Sequence, residues 1–399
     1  MTDAQVHRRW DVLAAAPALV LLGLGLPLAA GVTSATAVVL GLAPVWFPAV
    51  RRSSGISALL VVTALAVPAG LLLAWTVGPP SGRGWDGFSA LFVGLLVLTA
   101  AGGTGLVLWT RSVLPLHTVA LLLGVGLMAD AFRTAEASPN AWKFSFSLPL
   151  TVVVLALLGR RHPWLTTAAL LGFAAGGVAA DSRSYSAFCV LTAALVLWRA
   201  GPGSAHGRLR MTAVIGATAL AGYQVGTELL VQGYLGEVLQ QRSVEQVQRA
   251  GSLLAGGRPE WAATRALFVE HPWGFGLGAV PASEDLRTAK AGLDTVGISG
   301  SNGYVKHYMF GGGFKLHSVV ADLWSFFGVA GLALGALLLA LVVRSFVTVL
   351  AVGRPAPVVV FLCILSLWWL LFGPLQSNFA DICIVLGLAA PMRDAHDPG

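Results

Sequence analysis

The sequence predicts an all-α fold: a polytopic transmembrane helical bundle of about twelve spans, with a helical extracytoplasmic loop domain between spans 9 and 10. Three observations predict it. Only 11% of the 399 residues are charged, whereas soluble domains carry about a quarter, so the charges are too few to cover a water-facing surface. The mean hydropathy is +0.78. Apolar runs of roughly 17–25 residues recur between short polar breaks, the length that a bilayer core requires of a helix.

In chain order the runs read 12–30, 32–50, 56–78, 88–109, 113–131, 143–159, 164–180, 185–198 and 209–229. A polar stretch, 230–316, follows. The last runs are 318–343, 355–373 and 377–392. The chain therefore divides into 1–229 with nine spans, 230–316 as the loop domain, and 317–399 with three spans and a short tail. Pro and Gly inside several runs predict kinks or breaks.

The net charge of +7 is not the footprint of a nucleic-acid protein. The arginines sit in short clusters between apolar runs, which is a topology signal. With the N-terminus and its Arg8 and Arg9 in the cytoplasm, the same side receives Arg51–Arg52, Arg111, Arg160–Arg161, Arg199–Arg208–Arg210, Arg344–Arg354 and Arg393. The opposite connections are poorer in Lys and Arg, the one near Arg133 and Lys143 least clearly so. Positive-inside placement thus puts both termini in the cytoplasm and 230–316 outside it, in a multi-pass protein of the cytoplasmic (inner) membrane. The run after Arg9 is long enough to remain as an anchor. Cys189, Cys363 and Cys383 lie in apolar runs without metal or C-x-x-C spacing, so neither disulfides nor zinc are indicated. No cofactor is expected.

The loop has internal order. An amphipathic helix is predicted over Gly236–Ser252, and a second over Pro259–Val269 with proline at its start. The glycine-rich part between Gly292 and Gly313 reads as an irregular loop or lid. Gly274-Phe275-Gly276-Leu277-Gly278 lacks the βαβ context of a dinucleotide site and reads as a tight backbone turn.

Three arginines and a histidine are the candidates for chemistry. Arg183, in Asp181-Ser182-Arg183-Ser184, lies on the side where positive charge is disfavoured, close to the hydrocarbon. It either pairs with Asp181 at a helix start or faces a cavity and binds an anion. Arg258 and Arg265 are about two helical turns apart, so one helix face can carry both. Arginine binds phosphate bidentately and stays charged. For Arg265 the plainer alternative is a pair with Glu260 or Glu270 on a solvated face. His317 closes the loop, where a neutral imidazole can take a proton from a hydroxyl, or be merely structural.

Together these pieces resemble the O-antigen ligase and polymerase superfamily of bacterial envelope enzymes. The layout is similar, with the large loop between the ninth and tenth spans. So are three local motifs: Ser182-Arg183; Gly257-Arg258 with Trp261, Ala266-Leu267, Pro272 and Gly274–Gly278; and Leu316-His317 followed by Phe327-Gly328-Val329-Ala330-Gly331. One departure is Ser318, where the family often has Asn. The resemblance implies metal-independent glycosyl transfer. The donor would be a glycan on a polyprenyl diphosphate, and the acceptor a hydroxyl on a glycan, lipid or polymer. Arg183, Arg258 and Arg265 would be diphosphate-binding residues and His317 the catalytic base. The partners are then the lipid-linked donor, the acceptor and membrane lipids, with no nucleic acid. Two other classes remain open. A shape-and-division-type cell-wall glycan polymerase would rely on a loop acid such as Asp285 or Asp294. A lipid or glycan transporter would need ionisable residues or broken helices near the bilayer midplane.

Overall fold

The computed structural model describes residues 3–29, 31–77, 83–159, 162–200, 216, 237–251, 257–298, 303–351 and 355–391. The ninth apolar run, 209–229, lies outside the described residues except for position 216. The described chain is helical with almost no sheet, as an all-α membrane protein requires. Among the described residues, four helices are long and apolar enough to cross a membrane. They are α4 (Ser54–Val77), α5 (Gly87–Val113), α6 (Leu116–Thr134) and α13 (Val319–Ala351). Shorter apolar helices are α1 (Asp3–Leu24, apolar from Trp10), α7 (Ser147–Leu158, entered through a π-helical turn), α8 (Pro163–Ala179), α14 (Pro357–Phe372) and α15 (Leu375–Ala389). Helix α9 (Arg183–Ala200) packs against α8 and α14.

The second apolar run departs from a single span. It folds as α2 (Ser34–Gly41) and α3 (Ala43–Arg51), bent by 71°. Pro44 in the first turn of α3 has no N–H to extend the α2 ladder. The Trp46 indole N–H donates to the Val39 carbonyl at 2.7 Å and holds the bend. A two-stranded hairpin, β1 (Pro27–Ala29) with β2 (Val32–Thr33), leads into it from α1.

The loop contains α10 (Glu237–Ala250), α11 (Glu260–Glu270) and α12 (Ser283–Asp294). The first two match the expected helices; α12 occupies a stretch that partly overlaps the expected irregular segment. A π-helical turn, Tyr304–Met309, follows. The described part of the loop has no separate core. Ala263, Leu267, Phe275, Ala289, Leu293, Met309 and Phe314 belong to the same buried cluster as residues of α4, α5, α13 and α15.

The glycine-rich turn shows how the loop is seated. Phe275 and Gly276 donate their N–H groups to the Ser325 carbonyl on α13, and Leu277 donates to Gly70 on α4. Gly276 has φ +99°, and a Cβ there would lie 2.3 Å from the Ala74 nitrogen. The motif is thus a backbone plug between two helices, and glycine is needed for close approach. Opposite it, α13 bends at Gly328, whose φ is +59°.

A buried clamp joins the loop to the entry of α5. Arg83 donates from Nε to Asp285 Oδ2 at 2.8 Å and from Nη2 to Oδ1, and Nη2 also reaches His271 Nε2 at 2.8 Å. Asp285 is wholly buried, and its Oδ2 also accepts the Ala282 N–H at 2.8 Å, which starts α12. Arginine only donates, so His271 accepts and its ring is neutral. Burial and then the Arg83 charge hold the His271 pKa below its usual value, against an opposing pull from Asp285. Removing one member of a buried ion pair costs about 3–5 kcal/mol, because it strands the other charge. Asp285→Ala is therefore expected to lower the thermal unfolding midpoint of the detergent-solubilised protein well below wild type. An unchanged midpoint would show that the clamp does not hold the loop.

Candidate functional site

Two distant parts of the chain, the entries to α11 and to α13, meet at the last turn of α14. At one end, the Trp261 indole donates to the Leu371 carbonyl at 2.8 Å. The Arg258 guanidinium lies over the rings of Trp368 and Phe372, 5.2 and 5.9 Å from their centroids. At the other end, the Ser318 hydroxyl donates to the Leu370 carbonyl at 3.0 Å. Arg258 and Ser318, the neighbour of His317, are far apart in sequence and dock on the same five residues.

His317 has φ +55°, a left-handed conformation that residues with a Cβ seldom adopt. Such a backbone persists only where its surroundings over-determine it. Here Leu316 N–H donates to Asp322 Oδ1 at 2.6 Å, and the other carboxylate oxygen accepts the Leu375 N–H at 2.8 Å. Asp322 is buried and joins the residue before His317 to the start of α15. Ser318 caps α13 by accepting the Ala321 N–H at 3.3 Å. The histidine is held from both sides.

The imidazole is equally constrained. Its Nδ1 donates to the Lys315 carbonyl at 3.1 Å, since a carbonyl only accepts. Nε2 then carries the free lone pair, the atom able to receive a proton. The ring stacks on Tyr308 at 4.4 Å between centroids, with planes 19° apart. Burial is the largest influence on His317 and lowers its pKa. Arg258 and Lys315 act in the same direction, while Glu260 and the hydrogen bond to Lys315 oppose them. The ring is neutral at pH 7. Tyr308 is held above its usual pKa by burial and by Glu260, against a smaller effect of Arg258. Arg258, Glu260, Tyr308 and His317 are thus one electrostatic cluster.

Arg258 differs from the sequence expectation in its setting. Pro259 precedes the first residue of α11, so Arg258 stands in the break before the helix. Arg258 and Arg265 do not share a helix face. Arg265 is exposed, while α11 buries Glu260, Ala263, Thr264 and Leu267. Arg265 does not pair with Glu270, whose carboxylate accepts from the Thr288 hydroxyl at 2.6 Å. Among the described residues the Arg258 guanidinium makes no hydrogen bond or ion pair. Two aromatic rings hold it and leave its planar N–H edge for a ligand.

Arg183 stands at the start of α9 beside Asp181, as the plainer of its two sequence readings has it. Its Nε lies 3.8 Å from Asp181 Oδ1, a loose pair, and Nη1 donates to the buried Ser243 hydroxyl on α10 at 3.2 Å. It thereby ties the start of α9 to the loop. Phe188, further along α9, contacts Trp368 at 5.3 Å between centroids, the ring over which Arg258 lies. Sequence reasoning did not single out Tyr308, Asp322 or Trp368, and it considered Glu260 only as a partner of Arg265. Glu260 alone had a visible signal, an acid two residues beyond Arg258 in an otherwise apolar turn.

Among the described residues no group of three or more His, Cys, Asp or Glu is placed to hold a metal ion. No protein-family model matches the chain, and no curated protein or solved structure matches it.

Proposed function

We propose that this chain is a membrane glycosyltransferase of the O-antigen ligase-like kind. It transfers a glycan from a polyprenyl-diphosphate carrier to an acceptor hydroxyl at the outer face of the cytoplasmic membrane, without a metal. The observation that carries the reading is that a neutral histidine with a free Nε2 and an arginine without a hydrogen bond or ion pair among the described residues both stand beside the last turn of α14. In the reaction the acceptor oxygen loses its proton to His317 Nε2 and bonds to the anomeric carbon. The bond from that carbon to the diphosphate oxygen breaks, and its electron pair leaves on the diphosphate. Arg258 and Arg183 stabilise that charge; exposed Arg265 has a weaker claim. The twelve-span layout and the cytoplasmic termini belong to this same reading. Against a catalytic Asp285, as a shape-and-division-type polymerase would use, stands its complete burial against Arg83.

The test is reconstitution in nanodiscs with a purified lipid-linked glycan donor and an acceptor. Release of polyprenyl diphosphate with matching glycosylation of the acceptor is expected, as is accumulation of lipid-linked glycan in a deletion strain. Absence of both results would end the proposal. The topology has its own check. Ser283 is exposed at the start of α12, and Ser283→Cys should react with a membrane-impermeant thiol reagent in intact cells. Labelling only after permeabilisation would invert the orientation.

A further inference from the structure

A polar cavity lies apart from the histidine cluster. It encloses about 390 Å³ between α1, the α2 entry, α5, α6, the α7 entry and α15. Its polar lining includes Asp130, Arg133, Gln376, Ser377 and Asp381 with threonines of α2, α5 and α6, and Phe92 and Phe144 line it as well. Asp130 pairs with Arg133. Asp381 does not: among the described residues it has no hydrogen-bond or ion-pair partner. It stands about 9 Å along α15 from its first residue, taking 1.5 Å per residue. An ionisable side chain at such a depth in a membrane helix is costly and points to function.

The volume and chemistry select among ligands. A bare cation needs several oxygens at about 2.0–2.6 Å, and among the described residues no group of three or more His, Cys, Asp or Glu is placed to supply them. The cavity falls in the range of small-molecule sites, which are largely apolar with a few placed polar groups. A carboxylate accepts two hydroxyl donors, and an amide and a hydroxyl add both donors and acceptors. Aromatic rings pack against the C–H face of a pyranose. These groups together fit a neutral sugar ring.

The cavity is also tied to the histidine. Its rim residues Gln376 and Ser377 follow Leu375, whose N–H is held by the Asp322 carboxylate that holds Leu316. We propose that this cavity binds a sugar unit of the acceptor, with Asp381 as its principal hydrogen-bond acceptor. The acceptor role rests on the glycosyl-transfer reading; sugar binding itself does not.

The test is saturation-transfer difference NMR on the full chain in nanodiscs, with the methyl glycosides of glucose, galactose and mannose as probes. Tetramethylammonium and sodium chloride serve as cationic comparisons. At least one glycoside should bind saturably. Asp381→Asn should weaken that binding by roughly tenfold or more, the scale of a hydrogen bond to a charged group. Ala380→Phe, which fills the cavity, should abolish it. Affinity for the lipid diphosphate should be the same in both variants as in wild type. Binding by no glycoside, glycoside binding indifferent to both substitutions, or Asp381-dependent binding of tetramethylammonium alone would each overturn the inference. Failure of the two readings is separable. Glycoside binding that depends on Asp381, without transfer from any lipid-linked donor, would retain the cavity and reject the transferase. Transfer whose acceptor KM ignores Asp381→Asn would do the reverse.

Discussion

Replacing His317 by alanine is expected to reduce glycosyl transfer by roughly 10²–10⁴-fold, the usual scale of a lost general base, while leaving donor affinity near wild type. A sugar hydroxyl is a weak nucleophile at neutral pH, so some group must take its proton as the new bond forms. His317 is suited by tautomer as well as position: Nδ1 is committed to the Lys315 carbonyl and Nε2 is left as the acceptor. The pH profile gives an independent check. Burial lowers the His317 pKa below the ordinary histidine value of about 6.5. Above that lowered pKa the ring is neutral and competent; below it the ring is protonated and cannot accept. The rate should be flat through neutral pH and fall on an acidic limb centred below about 6.5. The limb should vanish in the residual activity of His317→Ala. Near-normal turnover in His317→Ala would reject the base and turn attention to Asp294 or His307.

How much of this was legible in the sequence differs by element. The helices α4, α5, α6 and α13 were legible because each is one continuous apolar run, and run length is what a bilayer selects. The bend between α2 and α3 was not, because both halves are apolar and Pro44 is only one of several prolines within apolar stretches. Helix α12 was missed for the opposite reason. It is mostly polar, and it begins with a capping contact from Asp285, whose other oxygen is engaged by Arg83 from a distant connection. The expected common face for Arg258 and Arg265 assumed an unbroken helix; Pro259 starts the helix between them.

The candidate site divides in the same way. Arg183 and His317 were visible as unusual residue types at the ends of apolar runs, and Arg258 as an arginine between Gly257 and Pro259 in the loop. Their setting was not. Trp368 reads as one more aromatic in an apolar helix, yet it contacts both Phe188 and Arg258. Asp322 reads as an acid at a helix start, favourable to the helix dipole. Its two hydrogen bonds instead reach Leu316 and Leu375, and they fix the backbone on which the histidine stands. Long-range partners of this kind carry no periodicity for a single sequence to display.

Arg258→Ala is expected to produce the second large loss, with a different signature. Where His317→Ala spares donor binding, Arg258→Ala should raise the donor Kd and lower the rate together. The guanidinium sits over Trp368 and Phe372 without a hydrogen bond or ion pair among the described residues, so its donors are available to the diphosphate before and after bond cleavage. Two charge-assisted hydrogen bonds, at about 1.5–3 kcal/mol each, correspond to a loss in donor affinity of roughly 10²-fold or more. The developing charge on the leaving diphosphate strengthens those bonds in the transition state, adding a further rate loss on the order of 10²-fold. Folding should be little affected, since the removed contacts are cation–π, worth about 0.5–1 kcal/mol at exposed sites. Arg258→Lys separates charge from geometry. Lysine keeps the charge but lacks the planar bidentate edge and stacks less well on the two rings, so it should recover part of the affinity and little of the rate. The measurement is donor binding and single-turnover transfer on the three proteins, with unfolding midpoints beside them. Full recovery by lysine would reduce Arg258 to a source of charge. A wild-type donor Kd in Arg258→Ala would move the diphosphate to Arg183.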